Sequence, residues 1–458
     1  MIKAGLAVVV AALVVPACAS ITSPEDAAAA ARGSLPDTPD AWASAADRVG
    51  EVEVGWIARM DDPVLRGLVV EAQNNNRNLQ AAAANVESAW ALARQAGAGL
   101  SPAVSLNSSA GGGGLIDGPD ASSFNLGLQA NWELDVWGRI RAGQQAAVLS
   151  AQSAEADYVF SQYSLAAAVA RSYFLAIEAG LQADVARKTL EALQETDRIV
   201  GVQYEFGMAT SQDVALSRSD LAATRAALTA AQGAQRDALR ALEVLLGRYP
   251  AAELQVRSTL PDVPPPPPPG VPSELLERRP DLIAAERSVA AAFNSTDQAK
   301  AARLPQISLT ADLGGSSPQL SSLLNPTNVA WQAASNLVAP LIDGGLRQAQ
   351  VDQASADQKA AIAAYGQTAL DAFEEVETSL DQNTVLRDRA GSLRESAEQA
   401  NEALRIIRLR YEEGESDLLD VLTIQQRVFS ADADLVSVER ARLDEWISLN
   451  LAIGGDWE

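Results

Sequence analysis

The sequence predicts a mostly helical chain with a small β part, laid down twice as a unit of two strands followed by long helices. Three observations carry this reading. Short motifs recur at a nearly constant distance along the chain, four segments alternate apolar and polar residues as half-buried strands do, and the longest stretches carry a heptad seam.

The repeat is visible in pairs. Tyr204-Glu205-Phe206-Gly207, followed by Asp213-Val214, matches Tyr411-Glu412-Glu413-Gly414, followed by Asp420-Val421; Pro102 to Leu106 matches Pro305 to Leu309; Gly138-Arg139-Ile140-Arg141 matches Gly344-Gly345-Leu346-Arg347. Between the copies, Pro264 to Pro269 are consecutive prolines, a composition that favours a stiff extended spacer.

At the N-terminus, Lys3 precedes an apolar run from Ala4 to Val15, too short to span a bilayer comfortably, and small residues follow. This is the pattern of a secretory signal. Two readings are open for the only cysteine, Cys18: an incidental residue near an ordinary cleavage site, or the acylated first residue of a mature lipoprotein. On the second, 1–17 is a lipoprotein signal peptide, 18–60 an N-terminal anchor segment, and each buried acyl CH₂ contributes about 0.8 kcal/mol of membrane affinity.

The first repeat is expected over 61–260. A helical segment at 61–100 leads into strands at about 103–112 and 122–135, with a loop running from Gly111 through Pro119 between them. In the second strand Phe124, Leu126, Leu128, Ala130, Trp132 and Leu134 alternate with mostly polar neighbours, and the alternation stops at Gly138 without a turn signal. Gly138, and Gly344 in the other copy, are therefore the expected strand-to-helix junctions. Long helices are expected at about 138–206 and 211–246; a helix of the first length would extend about 100 Å. After a linker at 261–272, the second repeat, 273–458, should place strands at about 305–314 and 328–341 and long helices at about 344–412 and 417–452. Its seam is Leu386, Ala390, Leu393, Ala397, Ala400, Leu404, Ile407 and Tyr411; the first copy keeps the same seam with Asp197 as a polar exception.

Composition excludes several functions. The formal charge of −24 opposes binding to nucleic-acid phosphate. Histidine is absent, so a Ser-His-Asp hydrolase or a His-ligated metal is impossible, and neither an enzyme activity, a cofactor nor a metal site is expected. Four strands are too few for a transmembrane barrel, which needs about eight. The strands form either part of a soluble sandwich or one share of a barrel built by several chains.

Asp62-Pro63, Asn78-Leu79, Trp132 to Arg139, Arg278-Arg279-Pro280-Asp281-Leu282, Leu304-Pro305-Gln306-Ile307, Asp343-Gly344-Gly345, Leu419-Asp420-Val421-Leu422 and Gly454-Gly455-Asp456-Trp457 occur in an order that resembles the TolC and OprM type outer-membrane channels. Within them it is similar to the NodT-like lipoprotein subset that serves resistance-nodulation-division (RND) efflux systems. The resemblance covers almost the whole mature chain. It implies a homotrimer whose twelve strands form a β-barrel in outer-membrane lipid, continuous with a twelve-helix periplasmic α-barrel, and it implies a periplasmic adaptor and an inner-membrane RND-type transporter as partners.

The informative positions in such a protein line, close or dock. Gly207 and Gly414 suit left-handed helix C-caps, and Thr210-x-x-Asp213 and Asp417-x-x-Asp420 follow with capping-box spacing. Each is then a helical hairpin tip, and Gly207, Met208, Thr210, Ser211, Gly414, Glu415, Ser416 and Asp417 are the expected adaptor-docking residues. Asp213 and Asp420 are read first as carboxylates satisfying helix amides. For Asp420 the resemblance adds an acidic periplasmic aperture; Thr423 stands where relatives often carry a second aspartate. Leu419 is either an apolar constriction or a buried heptad leucine. Pro280 suits the first turn of a helix. Trp132, Trp137 and Trp331 suit either a membrane-surface belt or ordinary packing.

The implied function is a passive exit duct for small molecules in a tripartite efflux system. Two alternatives stand beside it: the outer-membrane conduit of type I protein secretion, and a periplasmic coiled-coil scaffold.

Overall fold

A computed structural model describes residues 21–45, 50, 52, 55–113 and 121–457. Cys18 and the part of the expected loop from Gly114 through Pro119 lie outside the described residues, whereas Gly111, Gly112 and Gly113, expected at the start of that loop, continue the first strand by pairing with Ser123, Ser122 and Ala121. The chain divides into two compact units, Met1–Pro36 with Ala84–Asp157 and Asp281–Thr368, and Asp37–Ala83 with Tyr158–Pro280 and Ala369–Glu458.

In the first unit, helix α1 (Pro24–Arg32) begins with proline in its first turn and with the Ser23 hydroxyl accepting the Asp26 amide at 3.1 Å. Its Ala27 packs with Leu149, Ala290 and Ala291, and its Ala31 with Val289 and Tyr365. Alanine at these contacts lets the helices approach closely. Just before it, Thr22 donates to the Asp297 carboxylate through its amide at 2.8 Å and its hydroxyl at 2.6 Å.

Four strands, β1 (Ala103–Gly113), β2 (Ala121–Leu134), β3 (Gln306–Ser317) and β4 (Val329–Val338), form one antiparallel sheet in the order β1-β2-β3-β4. The register aligns Ser105, Gln129, Asp312 and Gln332 in one row across all four strands, and Leu106, Leu128, Leu313 and Trp331 in the next. Successive side chains point to opposite faces, so one face is polar and the other apolar. Among the described residues β1 and β4 each have one bonded neighbour, leaving both edges open. β4 ends at Val338, three residues short of the expected 341, because Pro340 has no amide to donate to the ladder.

The expected single helical segment at 61–100 is two helices, α3 (Pro63–Asn75) and α4 (Arg77–Ala98), following a short α2 (Trp56–Arg59). Asn76 interrupts them: its backbone is extended, and its Oδ1 accepts the amides of Asn78 and Leu79 at 3.0 and 3.1 Å. The later helices are α5 (Arg139–Glu205), α6 (Ser211–Leu245), α7 (Pro272–Arg278), α8 (Pro280–Ala301), α9 (Leu346–Glu412) and α10 (Leu418–Ala452). α5 and α9 have 67 residues each, and α6 and α10 have 35. α5 contains a window apolar enough to cross a membrane, but more than half of that window is buried inside the protein, where it packs as core.

The second unit has its main core around Trp56, Leu65, Val69, Tyr173, Phe174, Leu242 and Trp446. Trp56 and Trp446 meet edge to face at 6.2 Å. Asp62, whose side chain is fully buried, is held by four donors: the amides of Val64 and Leu65, the Tyr173 hydroxyl at 3.1 Å and the Arg257 guanidinium at 3.1 Å. One residue thus caps α3 and pins two distant segments. The proline run is held by its carbonyls: Pro265 accepts from Trp446 and Arg59, both at 3.0 Å, and Pro269 from Trp42 at 3.2 Å. Proline removes donors but keeps acceptors. Seam residues Ala390, Ala397, Ala400 and Tyr411 are buried, as are Ala183, Ala186, Leu193 and Val200 of the first copy. The polar exception, Asp197, accepts the Ser217 hydroxyl at 2.9 Å.

Candidate functional site

Each tip is built from a glycine and a cap. After α5, Gly207 has φ +73°, and the Met208 amide reaches back to the Gln203 carbonyl at 2.7 Å. After α9, Gly414 has φ +78°, and the Glu415 amide reaches the Arg410 carbonyl at 2.7 Å. These backward bonds satisfy carbonyls that a helix end leaves without partners. Met208, Thr210, Ser211, Glu415 and Asp417 are exposed, and Ser416 is half-buried.

The two tips differ in their acids. At the first, Thr210 and Asp213 form a reciprocal capping box: the Asp213 carboxylate accepts the Thr210 amide and hydroxyl, both at 2.7 Å, and the Thr210 hydroxyl accepts the Asp213 amide at 3.2 Å. Those donated bonds hold the Asp213 carboxyl below its usual range. At the second, Asp417 is the cap, accepting the Asp420 amide at 2.9 Å. The Asp420 carboxylate is exposed and accepts no hydrogen bond among the described residues.

Leu419 is 60% exposed, beside exposed Asp420 and Thr423. The buried leucines of this turn are Leu418 and Leu422, so within the chain Leu419 is not a seam residue. The Thr423 hydroxyl donates to the Leu419 carbonyl at 2.7 Å. Leu419, Asp420 and Thr423 therefore sit together on an uncovered face of α10. Tyr411 is buried, and its hydroxyl donates to Gln203 Oε1 at 2.7 Å, joining the ends of α5 and α9. Burial, with the nearby Asp213 charge, raises its pKa and keeps it a donor.

At the first junction Gly138 has φ +75°. Asp135 accepts the amides of Ile140 and Arg141, both at 2.9 Å, at the start of α5, and the Arg141 guanidinium at 3.0 Å. Burial pushes its pKa up, but these donors outweigh burial and leave it lowered. Glu133 and Arg139 form a two-bond pair, and Trp132 and Trp137 donate to the carbonyls of Leu100 and Pro305. At the second junction Gly344 and Gly345 have φ +64° and +89°, and Asp343 accepts the Gly345 and Arg347 amides at 3.0 and 3.2 Å. Trp331, by contrast, is an exposed member of β4.

Sequence reasoning missed Asp135 and Asp343 as caps; the available signal was an aspartate shortly before each glycine, with an arginine in the following first turn. It also missed Arg279, which is buried and donates to Glu375 at 2.6 Å and to the Ala452 carbonyl at 3.2 Å, with its guanidinium 5.8 Å from the Phe160 ring centre. Among the described residues no cluster of acids or cysteine could hold a metal ion.

The family model for outer membrane efflux proteins matches residues 68–248 and 271–455, one segment for each copy of the repeat. The chain belongs to the outer membrane efflux protein family. It is 31% identical over 471 residues to the pyoverdine export outer membrane protein OpmQ of Pseudomonas aeruginosa, covering 99% of this chain and 97% of that one. It is 30% identical over 409 residues to the cation efflux system protein CusC of Escherichia coli, covering 88% of each. Among solved structures it matches the outer-membrane channel OprN at 30% identity with a TM-score of 0.84, over 92% of this chain and 99% of that one. This outer membrane efflux protein is therefore a channel of the Gram-negative outer membrane.

Proposed function

We propose that three copies assemble into a passive exit duct, with a twelve-stranded barrel in outer-membrane lipid and a twelve-helix tunnel in the periplasm. The observation that carries this reading is the four-stranded sheet with two open edges, one polar face and one apolar face. An open edge leaves backbone groups unsatisfied in hydrocarbon, and pairing β1 of one copy with β4 of the next removes every edge. The chain carries no chemistry of its own, and an RND-type transporter in the inner membrane delivers cargo through a periplasmic adaptor seated on the hairpin tips. Small molecules or ions are favoured over secreted proteins as cargo, because relatives are named for pyoverdine export and cation efflux.

Asp420, Leu419 and Thr423 form the aperture: three symmetry-related carboxylates repel one another and attract cations. Cys18 carries the lipid anchor. Purified protein should run on gels as a heat-modifiable trimer and conduct ions in planar bilayers; a monomer without conductance would overturn the duct. Lipid labelling should disappear in Cys18→Ser, and labelling that persists would overturn the anchor.

A further inference from the structure

We infer that Asp312 is a second determinant of ion selectivity, placed inside the membrane barrel and separate from the hairpin tips; this rests on the trimeric duct proposed above. The four strands contain two charged residues, Glu133 and Asp312. Glu133 is neutralised by its two bonds to Arg139 at 3.2 and 2.8 Å. Asp312 has no ion-pair or hydrogen-bond partner for its side chain among the described residues, so it is the one uncompensated charge that the described strands carry.

The register fixes which face it occupies. Asp312 lies in the row with Ser105, Gln129 and Gln332, one position from the row of Leu106, Leu128, Leu313 and Trp331. Leu106, Leu313 and Trp331 are each more than half exposed in the single chain, as a lipid-facing band requires. A charge on that band would be costly, and the alternate face is the lumen. Its partners in the row, Gln129 and Gln332, are uncharged, so no positive group stands beside the carboxylate on the neighbouring strands.

Access follows from the next polar-face row towards the hairpin loops, Asn107, Gly127, Gly314 and Ala330. Its two central glycines place no side chain over Asp312, and a hollow of about 610 Å³ lies there, lined by Asp312, Gln129, Gln332, Asn107 and Asn125. The glycines are also needed by the backbone: a Cβ on Gly314 would stand 2.7 Å from the Gly127 Cα and from the Leu126 carbonyl oxygen.

With four strands per copy, at about 4.8 Å between strands and a tilt near 40°, the three Asp312 backbone positions stand roughly 20 Å apart. That exceeds the Debye length of about 8 Å at physiological salt and falls within the length of about 30 Å at 0.01 M. The ring therefore attracts small cations at low ionic strength and is screened at high salt.

The test compares the wild type with Asp312→Asn and Asp312→Lys, each as the full chain in planar bilayers under KCl gradients around 0.01 M and around 1 M. The permeability ratio of K⁺ over Cl⁻ should fall by about twofold or more in Asp312→Asn and further in Asp312→Lys at low salt only. A second readout is independent of the tip. In intact outer membranes, a water-soluble cationic methanethiosulfonate should modify Asp312→Cys and leave Leu313→Cys unmodified, against the wild-type background. Wild-type selectivity in both Asp312 variants overturns the selectivity role even if the channel conducts, and preferential modification of Leu313→Cys overturns the lumen placement. A wild-type chain that neither conducts nor forms trimers fails the duct reading itself.

Discussion

The Tyr411 hydroxyl and Gln203 Oε1, 2.7 Å apart, are contributed by the second and the first copy of the repeat, and they link two helix ends that the hairpins would otherwise leave independent. Around them Val200, Leu221, Leu418, Val421 and Leu422 are buried together. Removing the hydroxyl in Tyr411→Phe keeps the ring packed and deletes one bond, a loss of about 1 kcal/mol per copy. Single-channel recordings should show the open state favoured by about fivefold per copy, and an unchanged open probability would dismiss the bond as a latch.

Equivalent positions should respond differently to the same change. Asp213→Ala removes a capping box and should lower helix stability by about 1 kcal/mol, read as a reduced melting temperature. The lowered Asp213 pKa makes its contribution present above the unfolded pKa and lost as pH falls through the folded one. Asp420→Ala should leave stability nearly unchanged and reduce cation preference. Unchanged conductance and selectivity in Asp420→Ala would remove it from the aperture.

Gly138 and Gly344 hold left-handed backbone, where alanine costs about 1 to 2 kcal/mol. An added Cβ at Gly138 meets Ile21 only at ordinary contact distance, and at Gly344 it meets nothing, so the cost is conformational rather than steric. Both alanine variants should show trimer yields and melting temperatures reduced by similar amounts. A loss confined to one would mean that the two junctions do not share a strained backbone.

Asp444 gives a pH dependence. Its Oδ2 pairs with Arg440, which also pairs with Glu178, while its Oδ1 is buried without a hydrogen-bond partner. Arg171 also faces it, bonding Ser448 at 2.9 Å. Burial outweighs the arginines and raises its pKa to about 6. A carboxyl raised in the folded state favours folding below the unfolded pKa, and that contribution is lost as pH rises through about 6. Asp444→Asn should therefore gain stability over the wild type at pH 8, by about 3 kcal/mol, and gain little at pH 4. Equal effects at both values would contradict the shift.

The faces of the strands were legible because alternation records burial one residue at a time: Leu126, Leu128 and Trp132 declare a side before any partner is known. Partners were not legible. Nothing local in β2 states that Gln129 faces Asp312, since that pairing depends on two long helices returning the chain. Asn76 was hidden for a related reason: a helix break made by an asparagine accepting two amides has the same composition as a polar helix position. At the second tip the heptad left Leu419 undecided, and only packing separates it from its buried neighbours Leu418 and Leu422. The caps at Asp135 and Asp343 were present in the text of the sequence, but their distance from the helix start differs between copies, so alignment alone did not expose their common role.

Duplication gave this chain two hairpins, and they have since parted ways. One end has an exposed Tyr204 and a carboxylate spent on its own cap; the other has a buried Tyr411 and a carboxylate left to the solvent. A trimer would thus present six fingers of two alternating sorts at its periplasmic mouth. Such a mouth would have threefold rather than sixfold symmetry, so a partner seated on it would meet two chemically distinct kinds of finger.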